Sequence, residues 1–536
     1  MSQHRNTIGH YIVELLAVNG IDTVFGIPGV HTLELYRPLA DSALRHILVR
    51  HEQGAGFSAD GFARISGRPA AAFVISGPGL SNILTAVGQA YSDSVPMIVI
   101  ASTPVCASLT KGWGVLHELR NQHALAQSVF GFARTALSAE DVRDHLRAAL
   151  ASFKGVRTRP AYLEIPLDLL SKPTALRAER FADAGNTPQA VNLHAAIEAL
   201  EEAKRPMIIA GGGARAAGAA IHDLLDKLDA YLVTTTAGKG IVNESHPGNI
   251  GASLPYRHTQ ELIAEADAVL AVGTEIAETD VYNVTRLPMR GKLIRVDVDP
   301  LKLSDHYQAD FRILGDANAA LTEMASAVTP RQGWRTQSGP AASHRSRINA
   351  TFDHATHARI AALNAIRAAL PVDGAVFSDM TQIAYVGNYA FAVDKPNLWH
   401  HPSGYGTLGY ALPAAIGAKI AEPDRAIVAL AGDFGVMLTL SELMTAVEEK
   451  ISLPVIVWNN AALGQIRDDM VAAGIGEVGV VAQNPDFVAT AKAFGANAVL
   501  ARNADELTRA ITRSLDAPGP TLIEAREIDF ALTDRQ

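Results

Sequence analysis

Short apolar runs rich in β-branched residues recur along this chain, and each leads through a glycine-bearing turn into a stretch with helical spacing. Ala71–Ile75 runs into Ser76-Gly77-Pro78-Gly79, a helical segment and then Pro96-Met97-Ile98-Val99-Ile100. Ala426–Leu430 runs into Gly432-Asp433-Phe434-Gly435, a helical segment and then Pro454-Val455-Ile456-Val457-Trp458. The two passages read as one unit used twice: strand, glycine turn, helix, proline, strand. A looser copy passes through Met207–Ala210, Gly211-Gly212-Gly213, a helix and Tyr231-Leu232-Val233. Strands that alternate with helices and are apolar on both faces predict doubly wound parallel sheets. The pattern lapses into Pro, Ala and charged residues around Ser171–Gln189, and again in the polar stretch from Pro330 to Ser346. Taken as linkers, these divide the chain into three α/β domains, 1–175, 188–330 and 350–536, with the outer two most alike.

Composition narrows the class. At roughly 100–200 residues per domain, 536 residues fit three domains, and 48% hydrophobic content supplies their cores. A net charge of −9 with scattered Lys and Arg lacks the basic stripe of a nucleic-acid partner. The lone cysteine, Cys106, excludes an internal disulfide framework and fits a reducing compartment. Its position suggests a small buried hydrophobe at a strand end. The N-terminus enters a helical pattern without a signal peptide's basic start and apolar core. No apolar run approaches the roughly 18–20 residues of a membrane helix. The expectation is a cytoplasmic protein.

The sharpest local signal is Gly432-Asp433 followed, 27 positions after the Asp, by Asn460 in Val457-Trp458-Asn459-Asn460. Both residues end strands separated by one helix, so a parallel sheet sets them side by side at its carboxyl edge, where ligands bind. Mg2+ takes hard oxygen donors: a carboxylate, an amide or carbonyl oxygen, and phosphate oxygens. Near the other end, His51-Glu52-Gln53-Gly54-Ala55-Gly56 opens a helix in which Ala59, Gly61 and Ala63 continue the small residues. Such weak helix formers fit close packing against another helix, as across a subunit interface.

These stretches resemble the thiamine-diphosphate enzymes of the acetohydroxyacid-synthase and 2-oxo-acid-decarboxylase superfamily, in the right order over nearly the whole chain. The resemblance implies that Asp433, Asn460 and the backbone carbonyl of Ala462 hold Mg2+, with Gly432, Gly435, Leu463 and Gly464 around the diphosphate. Phe434 stands where the family commonly has Gly, which leaves the path of that turn open. Glu52 would hold the proton at N1′ of the aminopyrimidine. Pro28 and Gly29 resemble the loop beside the pyrimidine, and Pro78, Asn82 and Gln89 the next cofactor-facing turn. Thr381 and Gln382 resemble the diphosphate loop. In Gly404-Tyr405-Gly406-Thr407-Leu408-Gly409, the Gly406 carbonyl would accept from the 4′-amino group and Leu408 would wedge the cofactor into its bent form. Because the family builds its site between chains, a homodimer at least, and a homotetramer, is implied.

The same resemblance implies a 2-oxo acid substrate and loss of CO2, with two outcomes open: an aldehyde on protonation, or carboligation to a second carbonyl. His31, His117, Glu118 and Gln465 are the polar residues placed to decide. Lys111–Leu119, Ile466–Val471 and the Gly404–Gly409 loop look most like decarboxylases of 5-guanidino-2-oxopentanoate, whose guanidinium suits Glu118, Asp468 and Asp469. The rival is an acetolactate-synthase-type carboligase. Flavin-containing members carry an Arg-Phe-Asp-Asp-Arg-like stretch where this chain has Gly273–Asp280, a departure that argues against FAD. A non-catalytic binding protein on this fold would be expected to lose Glu52, Asp433 or Asn460; all three are present.

Overall fold

The computed structural model describes residues 6–182, 193–282 and 284–533. The first sheet comprises β1 (Thr23–Gly26), β2 (Arg45–Leu48), β3 (Ala70–Val74), β4 (Met97–Thr103), β5 (Phe132–Thr135) and β6 (Ala161–Pro166). The second comprises β7 (Pro206–Ala210), β8 (Tyr231–Thr234), β9 (Asn249–Gly251), β10 (Ala268–Val272), β11 (Lys292–Asp297) and β12 (Phe311–Leu314). The third comprises β13 (Ala375–Ser378), β14 (Trp399–His400), β15 (Ile427–Gly432), β16 (Pro454–Asn459), β17 (Asn497–Ala501) and β18 (Thr521–Arg526). Their orders are β2-β1-β3-β4-β6-β5, β12-β11-β10-β7-β8-β9 and β14-β13-β15-β16-β18-β17. Every pairing is parallel, in register through runs such as Ala70↔Met97 to Val74↔Ala101. Helices cover both faces, and so β3, β4, β7, β10, β15 and β16 read as near-continuous apolar segments. Three α/β layers, the outer two with identical strand order, match the pattern in the sequence.

The outer sheets also share one apolar core, in which Phe25, Phe57 and Phe62 join Phe377, Tyr410 and Leu443. At its centre the Glu52–Ser66 helix lies against the Ala411–Ala421 helix. Their backbones touch: a Cβ on Gly61 would stand 1.9 Å from the Ala414 carbonyl oxygen, and one on Gly417 would stand 1.8 Å from that of Ser58. Ser58 Oγ donates to the Pro413 carbonyl at 2.9 Å, and Tyr410 OH donates to Asp60 at 2.7 Å. The small residues of the Glu52 helix therefore have a packing partner within the same chain, where the sequence suggested one across a subunit interface.

Two other expectations change. The polar stretch 330–346 is not a bare linker but carries helices Trp334–Ser338 and Ala341–Asn349, with Trp334, His344 and Ile348 buried against the central sheet. Its lack of periodicity reflects short helices anchored by a few residues and by Asp229, which accepts from the amides of Gly333 and Thr336. Of the stretch 171–189, residues 183–189 lie outside the described residues. Cys106 is exposed rather than buried, because the chain leaves β4 at Thr103 and turns outward, with the Cys106 amide donating to Asp168.

Candidate active site

Four strand ends of the first sheet gather the polar groups of the N-terminal half. After β1, the Pro28-Gly29 loop is pinned by Thr32, which exchanges hydrogen bonds with the Gly29 amide and carbonyl. It delivers His31, buried, with Nδ1 against Ser76 Oγ and its ring 4.9 Å, edge-on, from that of His117. Burial and then the second imidazole hold His31 below the usual histidine range. After β3, Gly77 takes φ +66°, and a Cβ there would meet the His117 carbonyl oxygen at 2.5 Å. His117 itself sits at φ +62° with a buried Nδ1 that has no partner among the described residues. Pro28, Gly29, His31, Pro78 and His117 are thus drawn to one place. Beyond β2, Glu52 is the first residue of its helix, 8% exposed, and accepts from Asn82 Nδ2 at 2.9 Å.

Two predicted residues are engaged elsewhere. Gln89 lies seven positions beyond Asn82, about 10 Å along the helix. There it donates to Asp93 at 2.7 Å and accepts from Thr407 at 3.0 Å, bridging the outer domains. Glu118 folds back on its own loop and accepts from the Gly112 and Gly114 amides at 2.9 and 2.8 Å. This brace leaves Trp113, 65% exposed, at the loop's tip.

The third sheet gathers the rest. Asp433 opens the five-residue helix Asp433–Met437 and is 2% exposed. Phe434 fits the first turn of that helix without positive φ, so the departure from glycine leaves the turn intact. Register pairs Gly432 with Trp458, which brings Asp433 beside Asn459 and Asn460. Asn484 Nδ2 donates to Asp433 Oδ2 at 2.6 Å and to Asn459 Oδ1 at 3.0 Å. Burial raises the Asp433 pKa, opposed by the Asn484 amide and the Phe434 and Ala461 N–H groups. Ala461 takes φ +55°, and the Ala462 amide donates to Asn460 Oδ1 at 3.1 Å. Leu463 is fixed by its amide to the Val480 carbonyl at 2.8 Å.

Gln382 sits at the hub. Its Oε1 accepts from Arg359 at 2.9 Å and from Asn460 at 3.4 Å, and its Nε2 donates to Asp468 at 2.8 Å. A Cβ on Gly464 would come within 2.4 Å of that Oε1. Thr381 Oγ1 would stand 2.9 Å from a Cβ on Gly432, and Asp379 Oδ2 would stand 2.7 Å from one on Gly435. Gly406, at φ +69°, and the half-buried Leu408 lie in a loop tied to the first domain through Gly404 N to Asp93 at 2.9 Å. Gln465 is exposed and donates to Asp469 at 3.1 Å. Asp433, Asn460 and the left-handed turn at Ala461 bring oxygen-bearing groups to neighbouring strand ends, the donor chemistry that a divalent cation and phosphate take.

Three segments match descriptions of one family. Residues 6–126 match the N-terminal TPP binding domain of thiamine pyrophosphate enzymes, 193–324 the central domain and 379–525 the C-terminal TPP binding domain. The chain belongs to the thiamine pyrophosphate enzymes. It is 49% identical to the probable 2-ketoarginine decarboxylase AruI of Pseudomonas aeruginosa over 529 residues, 97% of this chain and 94% of that protein. It is 29% identical to the acetolactate synthase isozyme 1 large subunit of Escherichia coli over 540 residues, 98% and 94% of the two chains. In this member of the family, two residues whose contacts matter at the site cannot be read from the sequence. Asn484, in Gln483-Asn484-Pro485, carries no local signature of its contact with Asp433. Glu442 reaches the other sheet, which no spacing along the chain announces.

Proposed function

We propose that the chain decarboxylates a 2-oxo acid, 5-guanidino-2-oxopentanoate, to the aldehyde and CO2 with thiamine diphosphate and Mg2+. The observation that carries this reading is near-full-length similarity to a protein named for decarboxylating 2-ketoarginine, the same keto acid. The cofactor, when bound, would supply an electron sink for decarboxylation. The chain's own residues do the remainder. Asp433, Asn460 and the Ala462 carbonyl hold the metal, and Thr381, Gln382, Leu463 and Gly464 shape the diphosphate cradle. Glu52 holds the proton at N1′, with Asn82 orienting its carboxyl. The Gly406 carbonyl would accept from the 4′-amino group, and Leu408 would supply an apolar surface for the bent cofactor. His31 and His117, kept largely out of water, are placed to handle the product's proton.

The guanidinium partner is Asp469, with Asp468 beside it. Among the described residues, the Asp469 carboxylate hydrogen-bonds a neutral amide, Gln465, whereas Asp468 is shared by Arg467 and Gln382. Glu118, held by its loop's amides, serves that loop instead. Within one chain, the described hydrogen bonds of Glu52 and of Asp433 stay in their own domains. Exposed Trp113, Leu116, Val30 and Leu33 on one edge and Ile466, Val471 and Ile475 on the other suit burial against a second copy. A homodimer at minimum, assembled as a homotetramer in the cytoplasm, follows from this reading.

The second reading, carboligation, is favoured by the acetolactate synthase relatives. A panel of 2-oxo acids decides: CO2 and the guanidino aldehyde are expected from the guanidino acid. Acetolactate from pyruvate, without turnover of the guanidino acid, would replace the first reading by the second.

A further inference from the structure

The reaction as described makes no use of Glu442, a carboxylate only 1% exposed. It ends the turn Leu440–Glu442 that follows the Asp433 helix. Its main-chain partners are amides of the other domain. Oε1 accepts from the Arg50 and His51 N–H groups, both at 3.0 Å. Oε2 accepts from the Thr445 hydroxyl at 2.7 Å and from the Arg50 N–H at 3.2 Å. These donors replace the water that a buried carboxylate would otherwise need.

Arg50 and His51 immediately precede Glu52, and His51 is the N-cap of its helix. On the far side, a Cβ on Gly54 would lie 2.2 Å from Glu442 Oε1, so this position admits the carboxylate by lacking a side chain. Positions 50, 51 and 54 bracket Glu52. The helix already has a local cap, the His51 ring accepting from Gln53 N at 3.1 Å. Glu442 adds a hold from another domain on the two successive peptide planes, 49–50 and 50–51, that lead into the Glu52 helix, while Asn82 holds the Glu52 carboxyl end.

We propose that Glu442 is a positioning residue: it fixes the first turn of the Glu52 helix on the C-terminal domain and so fixes where Glu52 presents its carboxyl. This rests on Glu52 acting at N1′ of the cofactor.

The test uses the full chain as Glu442→Ala, Glu442→Gln and Glu52→Gln. It measures deuterium exchange at C2 of bound thiamine diphosphate, kcat and KM, cofactor affinity by tryptophan fluorescence, and amide exchange of the 49–53 segment without cofactor. A displacement near 1 Å costs on the order of 100-fold, so Glu442→Ala should slow C2 exchange and kcat by about ten- to hundredfold. KM and cofactor affinity should stay within about threefold, and the 49–53 amides should exchange faster. Glu442→Gln keeps the acceptor oxygen and should restore near-native C2 exchange. Native C2 exchange in folded Glu442→Ala overturns the proposal, as does a Gln variant as slow as Ala. Should the Ala variant not fold, Glu442→Asp, too short to reach both amides, carries the same expectation and the same refutation. If Glu52→Gln exchanges normally, the reading of Glu52 itself falls and this inference with it. If Glu52→Gln is inert while Glu442→Ala is native, only the positioning role falls.

Discussion

Counted from its own first strand, each outer sheet runs 2-1-3-4-6-5, and in both the ends of strands one to four carry the candidate site. In the N-terminal sheet these ends hold Pro28–His31, Glu52, Ser76–Asn82 and the Lys111–Glu118 loop. In the C-terminal sheet they hold Asp379–Gln382, the Gly404–Gly409 loop, Asp433 and Asn459–Gly464. The helices that follow the second strands are the pair in backbone contact. The sheets part most sharply after the third strand. There the N-terminal domain starts a 15-residue helix at Pro78, whereas the C-terminal domain starts a five-residue one at Asp433. The short helix ends early enough for the chain to turn and send Glu442 into the other domain. On the proposed reading one scaffold supplies both a proton-holding edge and an oxygen-donor edge, and turn chemistry rather than topology separates them.

The largest effect should come from the N-terminal edge. Glu52→Gln is expected to lower kcat by about 10³-fold, within the range for lost acid–base catalysis, and to leave Mg2+-dependent cofactor binding intact by fluorescence titration. Unchanged kcat would remove the division of labour. Asp433→Ala should do the reverse, weakening metal and cofactor binding by about 100-fold or more, with chelator treatment of the native chain reproducing the loss. At the shared helix pair, Gly61→Ala and Gly417→Ala should each destabilise the chain by about 3 kcal/mol through overpacking, read by denaturant unfolding. Gly476→Ala, with no atom near its Cβ, should change little.

The smallest effect is electrostatic. At the end of the second strand in the C-terminal sheet, burial pushes the His401 pKa down to about 3. Its unfolded form takes up a proton first, so its contribution to stability is present above about pH 6.5 and is lost as pH falls toward 3. Asp379, pushed up to about 6 by burial, acts oppositely: its contribution is present at low pH and is lost as pH rises through 6. Unfolding curves of His401→Gln should therefore show less acid destabilisation than the native chain; an identical pH profile would refute the assignment.

The repeated strand, turn, helix and strand were legible because buried parallel strands must be apolar and their turns need glycine. Asp433 and Asn460 were legible because they end adjacent strands at fixed spacing. Gln89, Glu118 and Glu442 were not, since their partners depend on how domains and loops fold back, and local periodicity carries nothing of that. Cys106 shows the same limit on a small scale: the sequence marks where an apolar strand runs, not the direction in which its last residues leave the sheet.

The Ser58–Pro413 contact joins residues 355 positions apart. Closing so long a loop costs only logarithmically more than closing a short one, so the intervening central domain weighs little against the docking. Helices that meet backbone to backbone, however, can dock only after each has been set by its own sheet. The outer domains should therefore fold first as units, and their union should be a late, slow step on which the cofactor site waits.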